Sequence, residues 1–516
     1  QHGHLYLEVN ALITESMQFL NETIPLPQMQ VRRAEVEQKL QQMAEDNEIV
    51  SDGGRLYLPH IFMQEVETAA KAAAMLMEHT AKIDVTLPLE QVKQKLGLHL
   101  TKRQSRGVEV AMERNLSIIT GGPGTGKTTV LKAIIEVYRI LHPKNRIVLA
   151  APTGKASRRM AQSTGMLEAL TLHSLLGLQG DFCSKDKQDK PLPIDFLIVD
   201  EASMVWLAHQ LFTRLQKDTK LLLLGDVDQL ESVGAGNVFA ELIGSGIVPV
   251  TVLDEIFRQS KDSLIAYNAK FINEGNTKLY YGQDFVFMAS NNQAEAAERI
   301  VARYCREIEE SGIDRVQILS PFRSDGAASA EQLNEAIREV VNPFRSAEEE
   351  IKIGVKVFRV NDRIMQTKNT AKVSNGDLGF IRYIKNDEDG TRVGLDFGVG
   401  RELEYGIEDM VNLDLAYATT IHKAMGSEYD TVIMPLLKAH TVMLYRNLLY
   451  TGITRAKKRV VLIGQKQVLF MAIHRNEIGK RNTLLGERIH LYYKAYARRA
   501  GIPVPADLEK ELKHAG

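Results

Sequence analysis

Only two cysteines occur in the sequence, Cys183 and Cys305, far apart and in no metal-ligand spacing. A disulfide framework and a cysteine-ligated zinc are excluded, and a reduced, cytoplasmic protein is expected. An excess of either charge is also missing, since 64 basic residues face 65 acidic ones for a net charge of −1. Any polyanionic partner must therefore be held by locally segregated charge. No apolar run approaches the roughly 20 residues that span a bilayer, and no signal-peptide pattern opens the chain. Short repeats and low-complexity tracts are absent as well. The chain begins at Gln1 rather than methionine, so further residues upstream are expected.

What is present is length and alternation. A chain of 516 residues exceeds one core and suggests about three or four domains. Residues 1–96 carry amphipathic helix patterns such as "VRRAEVEQKLQQMAED" and then "GGRLYLPHIF", which reads as a short hairpin. A helical, winged-helix-like N-terminal domain fits this, either as a packing module or as a DNA-contacting wing. From Leu98 onward short apolar runs alternate with helices: "LSIIT", "RIVLAAP", "DFLIVDE", "KLLLLGD" and "VTVL", then "VQILSP", "DLAYATTI", "DTVIMPL" and "KRVVLIG". Such runs, each closing on small or polar residues, predict two α/β domains with buried parallel strands. Two segments interrupt the plan. "QGDFCSKDKQDKPLP" (179–193) predicts a projecting hairpin, and the turn-rich block 353–412 predicts a small β-barrel.

The stretch "TGGPGTGKTTV" carries the first chemistry. Gly121, Gly126, Lys127 and Thr128 fit G-x-x-x-x-G-K-[ST] between an apolar strand and an amphipathic helix. Backbone N–H groups of Gly122, Gly124, Thr125, Gly126 and Thr129 can face phosphates, Lys127 can reach the β- and γ-phosphates, and Thr128 can hold Mg²⁺. In "FLIVDEAS", Asp200 can act on Mg²⁺ while Glu201 takes a proton from the attacking water. Gln229 in "GDVDQLESVGAG", neutral and bifunctional, suits a γ-phosphate sensor.

The ordered series "GGPGTGKTT", "APTGKAS", "TLHSLLG", "IVDEASM", "LLLGDVDQL", "IFRQ", "YATTIHKAMGSEYD" and "LLYTGITRAKKRVVLIG" resembles the superfamily 1 DNA helicases, specifically the RecD-like group. The likeness runs from Leu98 to Gly464, with "RNTLLGERI" similar to the group's tail and the N-terminal segment similar to stand-alone RecD-type helicases. It implies two RecA-like domains (97–260, and 261–352 with 413–516), an SH3-like insertion (353–412) and a strand-splitting pin at 179–193, its tip at Lys185 to Lys190. It also implies ATP and Mg²⁺ as cofactors, with Gln104 reading adenine, Arg258 and Arg455 meeting the γ-phosphate, and Glu428 near the ribose or Arg455. DNA contacts fall on Pro152, Thr153, Lys155, Thr171, His173, Ser320, Arg323, Thr419, Thr420, His422 and Lys423, whose hydroxyls, amides and few cations suit a phosphodiester backbone.

One departure stands out. The family has serine and glutamine where "HKAMGSE" has Ala424 and Met425, which puts the coupling of DNA contact to the ATP cleft in question there. The barrel strand sequence "KVFRVNDRIMQTKN" offers Lys356, Arg359, Arg363 and Lys368 to the DNA channel, or to solvent. The expected activity is ATP-dependent 5′ to 3′ unwinding by a monomer acting on single-stranded and tailed duplex DNA, with repair or single-strand-binding proteins as partners, and without DNA cleavage. A translocase that separates no strands, on DNA or RNA, and a nucleotide-gated clamp are the alternatives.

Overall fold

The computed structural model describes residues 3–24, 29–78, 83–166, 169–179, 182–183, 190–255, 263–370, 372–387, 390–476 and 481–502. Two parallel sheets organise it. The first has six strands in the order Val250–Leu253, Leu116–Gly121, Lys220–Gly225, Phe196–Val199, Ile147–Ala151 and Leu170–Thr171. The second has five, in the order Phe285–Ala289, Ala456–Gly464, Tyr429–Leu436, Val316–Ser320 and Ala418–Thr420. All neighbours within both are parallel. The near-continuous apolar runs follow from this, because a parallel strand covered on both faces has no side to give to water.

Alternation along each strand divides the first sheet between two cores. Leu221 and Leu223 point into one, Leu222 and Leu224 into the other. The second of these faces receives the helix Lys127–Leu141 through Val130, Ile134 and Val137. The opposite face is covered by Ala69, Ala72 and Met75 of the helix Pro59–Met77 and by Leu485 and Ile489 of the helix Leu485–Ala500. The C-terminal helix, placed with the second α/β domain from sequence, therefore packs on the first sheet. Glu65, 4% exposed, receives the Thr483 hydroxyl at 2.6 Å, the Leu484 N–H at 2.8 Å and Arg488 at 3.0 Å, which ties the two ends of the chain together.

The hairpin read at "GGRLYLPHIF" turns at Gly53–Gly54 and pairs Arg55–Tyr57 with Val50–Asp52, with Tyr6–Glu8 along its other side, and Pro59 ends it by opening a helix at its first position, where a missing N–H costs nothing. Two other segments differ from the sequence reading. "DLAYATTI" serves two sheets. Leu413–Leu415 pairs antiparallel with Arg363–Gln366, and Ala418–Thr420 joins the second parallel sheet. The strand Phe285–Ala289 at the edge of that sheet was missed, since "FVFMA" is short and carries no flanking motif.

The insertion forms a five-stranded antiparallel sheet, Glu402–Gly406, Gly390–Asp396, Leu378–Asp387, Arg363–Gln366 and Leu413–Leu415, beside the hairpin Glu350–Ile353 and Lys356–Arg359. Its arginines are spent internally. Arg363, 1% exposed, donates to the Val316 carbonyl at 2.7 Å, and Arg359 pairs with Glu350 at 2.7 Å and Glu339 at 3.0 Å. Lys356 bonds Asp414 at 2.7 Å. The two arginines anchor the insertion to the second α/β unit and are not free for a DNA channel, whereas Lys356 lines the groove between that unit and the insertion. The strands Leu178–Gln179 and Phe182–Cys183 pair antiparallel; of the tip read as a pin, Lys185 to Lys190, all but Lys190 lies outside the described residues. Among the described residues, no helix is long and apolar enough to cross a membrane.

Candidate functional site

The strand Leu116–Gly121 ends in a loop whose Gly124 and Gly126 take φ values of 72° and 84°, conformations open to glycine, and the helix starting at Lys127 follows at once. This turn aims successive backbone N–H groups and the helix's positive end into one cleft of about 710 Å³. The cleft gathers Gly122, Gly124, Thr125, Gly126, Lys127, Thr128, Thr129, Asp200, Glu201, Gln229, Glu428 and Arg455 from elements of both sheets. Lys127 Nζ lies against the loop carbonyls of Gly121 and Gly122.

The acids at the end of Phe196–Val199 differ in state. Burial, reinforced by the neighbouring Glu201 charge, raises the Asp200 carboxyl above its ordinary range. Burial pushes Glu201 upward too, but Arg455, Arg159 and Lys127 outweigh it and hold that carboxyl below the usual value. Glu201 is thus kept ionised, which a proton acceptor requires. Arg455, 3% exposed, stands 3.9 Å from Glu201 and donates to the Ser427 carbonyl at 3.3 Å.

Arg159, on the helix Gly154–Thr164, was missed from sequence. Its guanidinium meets Glu201 at 3.0 Å and Glu428 at 2.5 Å, joining the acids of the first sheet to the second half. Glu428 pairs with Arg159 and with Lys457 at 3.3 Å, so its ion pairs are not with Arg455. Tyr450 was also missed. Its hydroxyl donates to Asp226 at 2.8 Å across the cleft, and a Cβ on Gly122 would come within 2.9 Å of it. The arginine pair after "GKAS" and the tyrosine in "LLYTGITR" were visible as residues, but only the fold tells which way they point.

Gln104 stands apart. It is 1% exposed, with its amide donating to the Thr125 carbonyl at 3.1 Å and its oxygen accepting the Thr101 N–H at 3.0 Å, so it braces the phosphate loop from behind. It borders a separate small pocket beside Arg103 and Asp254. Arg258 lies outside the described residues.

The residues read as nucleic-acid contacts divide. Arg323, Thr419, Thr420 and Lys423 line a groove of about 340 Å³ between the second sheet and the insertion, where the buried Thr419 hydroxyl has no hydrogen-bond partner. His422 is exposed at the end of the Ala418–Thr420 strand. In the first half Pro152 is half-buried, Thr153 and Thr171 cap the helices that follow them, and His173 packs against Trp206 with ring centroids 5.8 Å apart. Two residues are positioned differently. Ser320 is fully buried with its hydroxyl given to the Ala328 carbonyl, because the strand ends inside the core. The Lys155 ammonium lies 4.8 Å from the Tyr429 ring, between the two halves. Met425 is buried in the second core, where its side chain adds apolar contact in place of an amide's hydrogen bonds.

Comparison with known proteins agrees with this architecture. An AAA domain model matches residues 104–235, a UvrD-like helicase C-terminal domain 415–463, and the ATP-dependent RecD-like DNA helicase SH3 domain 333–397. Over 447 residues the chain is 33% identical to the ATP-dependent RecD2 DNA helicase of Deinococcus radiodurans, a match covering 85% of this chain and 59% of that protein. The chain is thus similar to the RecD-like superfamily 1 helicases. This RecD-like chain spans about three fifths of the Deinococcus relative's length. It is also 29% identical to the RecBCD enzyme subunit RecD of Mycolicibacterium smegmatis, over 85% of this chain and 82% of the relative. The solved Pif1 helicase from Candida albicans is similar at 18% identity, covering 77% of this chain and all of that one, with a TM-score of 0.45.

Proposed function

We propose that this RecD-like chain hydrolyses ATP between its two α/β halves and uses the cycle of closure and opening to move 5′ to 3′ along single-stranded DNA, separating duplex ahead of it. One observation supports the reading above all: phosphate loop, paired acids, Gln229 and Arg455 line a single cleft drawn from both halves. A molecule filling that cleft touches both, so loss of its γ-phosphate removes a bridge. In this reading Lys127 holds the β- and γ-phosphates, Glu201 accepts the water's proton, and Arg455 with Arg258 offsets charge on the transferring phosphoryl group. Thr128 and Asp200 are a hydroxyl and a carboxylate suited to Mg²⁺, which would screen phosphate charge when bound.

Single-stranded DNA would run across the groove of Arg323, Thr419, Thr420 and Lys423 and the edge at Thr153, Thr171 and His173. Polarity rests on the family, whose members include the relatives named above. The 179–193 segment would act as the splitting pin, and the chain would work as a monomer that meets repair or single-strand-binding proteins.

The test is strand separation with ATP and Mg²⁺ on matched duplexes bearing a 5′ or a 3′ tail, with hydrolysis followed in parallel. Opening of the 5′-tailed substrate alone is expected. DNA-stimulated hydrolysis that opens neither would make the chain a translocase, and opening from the 3′ tail would overturn the polarity.

A further inference from the structure

The loop that follows Gln229 is gripped by a residue far away in sequence. Arg481 donates to the carbonyls of Ser232 at 2.6 Å, Gly234 at 2.5 Å and Gly236 at 2.7 Å, and pairs with Glu231 at 2.8 Å. Its guanidinium is largely buried, 15% exposed on the side chain. A planar fork with five donors spread over three nitrogens can satisfy four separated acceptors at once, whereas an ammonium offers three donors from a single atom. The loop's near end is fixed to the ATP cleft, with Gln229 bonding Asp226 at 3.1 Å, Asp226 accepting Tyr450, and the Leu230 N–H donating to Thr451 of the second half at 2.9 Å. Its middle rests on Trp206, since a Cβ on Gly234 would lie 2.6 Å from the Trp206 Cβ, and Trp206 packs on His173. Val233 at the crest is 84% exposed.

One short segment thus touches Gln229 at one end and the His173–Trp206 ring pair along its middle, and Arg481 holds it in place between them. A flexible loop would absorb a displacement at Gln229 within its own backbone, whereas a clamped one passes it to Trp206. We propose that Arg481 is a positioning residue that holds this loop rigid, so that the state of the ATP cleft at Gln229 and DNA contact at His173 and Trp206 are coupled through it. The inference rests on the motor reading above. By thermodynamic linkage the coupling runs both ways, so nucleotide alone must alter the surroundings of Trp206.

Trp206 is the sole tryptophan in the sequence, so intrinsic emission reports on this point directly. The experiment adds a non-hydrolysable ATP analogue to the DNA-free protein and follows tryptophan emission, with binding of a fluorescent ATP analogue and single-strand-stimulated hydrolysis measured beside it. The expected result is an emission change in the wild type that Arg481→Ala abolishes and Arg481→Lys partly restores. In Arg481→Ala the kcat of DNA-stimulated hydrolysis should fall by about tenfold while KM for ATP stays within about twofold. Should Arg481→Ala fail to fold by circular dichroism, Glu231→Gln, which removes the charge of the ion pair and leaves an amide oxygen able to accept from Asn237, should reduce the emission change in a folded protein. An emission change of wild-type size in a folded Arg481→Ala or Glu231→Gln, or no change in a wild type that binds the analogue, overturns the proposal. Failure of the wild type to bind or hydrolyse ATP at all would instead remove the motor reading, and this inference with it.

Discussion

Glu201 is held against its own backbone preference, at φ 52° and ψ 42°, in a region that costs a residue with a side chain about 1 kcal/mol or more. That conformation turns its carboxylate toward Arg159 and Arg455 at the end of the strand. Glu201→Gln keeps the shape and removes the proposed proton acceptor, so hydrolysis should fall by roughly two to four orders of magnitude with ATP affinity retained, as single-turnover kinetics and equilibrium binding would show. Arg159 sets the acid limit of the same group. Removing one of the cations that lower the Glu201 carboxyl in Arg159→Ala lets burial dominate, and the acid limb of the kcat profile should move to higher pH. An unmoved limb would detach Arg159 from the base. A second titration belongs to stability. Burial presses the His440 imidazole down to about 4. The unfolded chain therefore binds more protons between about pH 6.5 and pH 4, and stability present above that window is lost as pH falls through it, by up to about 3 kcal/mol. Denaturant midpoints should show this slope, and His440→Leu should flatten it.

The helix Gly154–Thr164 is the element that joins the halves. Lys155 lies over Tyr429, Arg158 pairs with Asp377 of the insertion and Arg159 with Glu428. Asp377, 2% exposed, also accepts Arg401 at 3.1 Å, so Asp377→Asn leaves two cations without their carboxylate. It should destabilise the protein by about 3 kcal/mol in urea denaturation, against less than about 1 kcal/mol for the exposed pair of Arg33 and Glu37. None of these contacts was legible in the sequence, and the reason is physical. Apolar periodicity reports that a face is buried, which placed the strands, the phosphate loop and the paired acids, because each is fixed by neighbours a few residues away. The partner of a polar side chain depends on where remote segments meet. Arg359 and Arg363 thus read as surface charge yet fill the join beneath the insertion, and Lys155 read as a DNA contact yet spans the halves. "DLAYATTI" read as one strand because nothing in a continuous apolar run marks the crossing from one sheet to the next.

The helices Pro59–Met77 and Leu485–Ala500 close over the first sheet, while the second half meets the first at the cleft, at the Asp226–Leu230 segment and along the Gly154–Thr164 helix. The first unit has a clasp in which Arg488 joins the buried Glu65 to the partly exposed Asp52, the last 2.6 Å away, and covered sheet faces of its own. The second has separate cores. Two such units, joined by polar contacts and by Leu230 and Met204 of the first against the core of the second, are expected to unfold in two calorimetric steps rather than one. A nucleotide held only by the phosphate loop would raise the first unit's transition alone, by about 2.7 kcal/mol at a concentration 100 times its Kd. A nucleotide gripped from both sides must raise both and draw them together, since unfolding either unit releases the ligand. Scanning calorimetry with a non-hydrolysable ATP analogue should therefore show the two transitions converging in the wild type. In Arg455→Ala, where the second half loses its buried cation in the cleft, only one should move, and transitions that shift alike in both proteins would mean that Arg455 does not bridge the nucleotide.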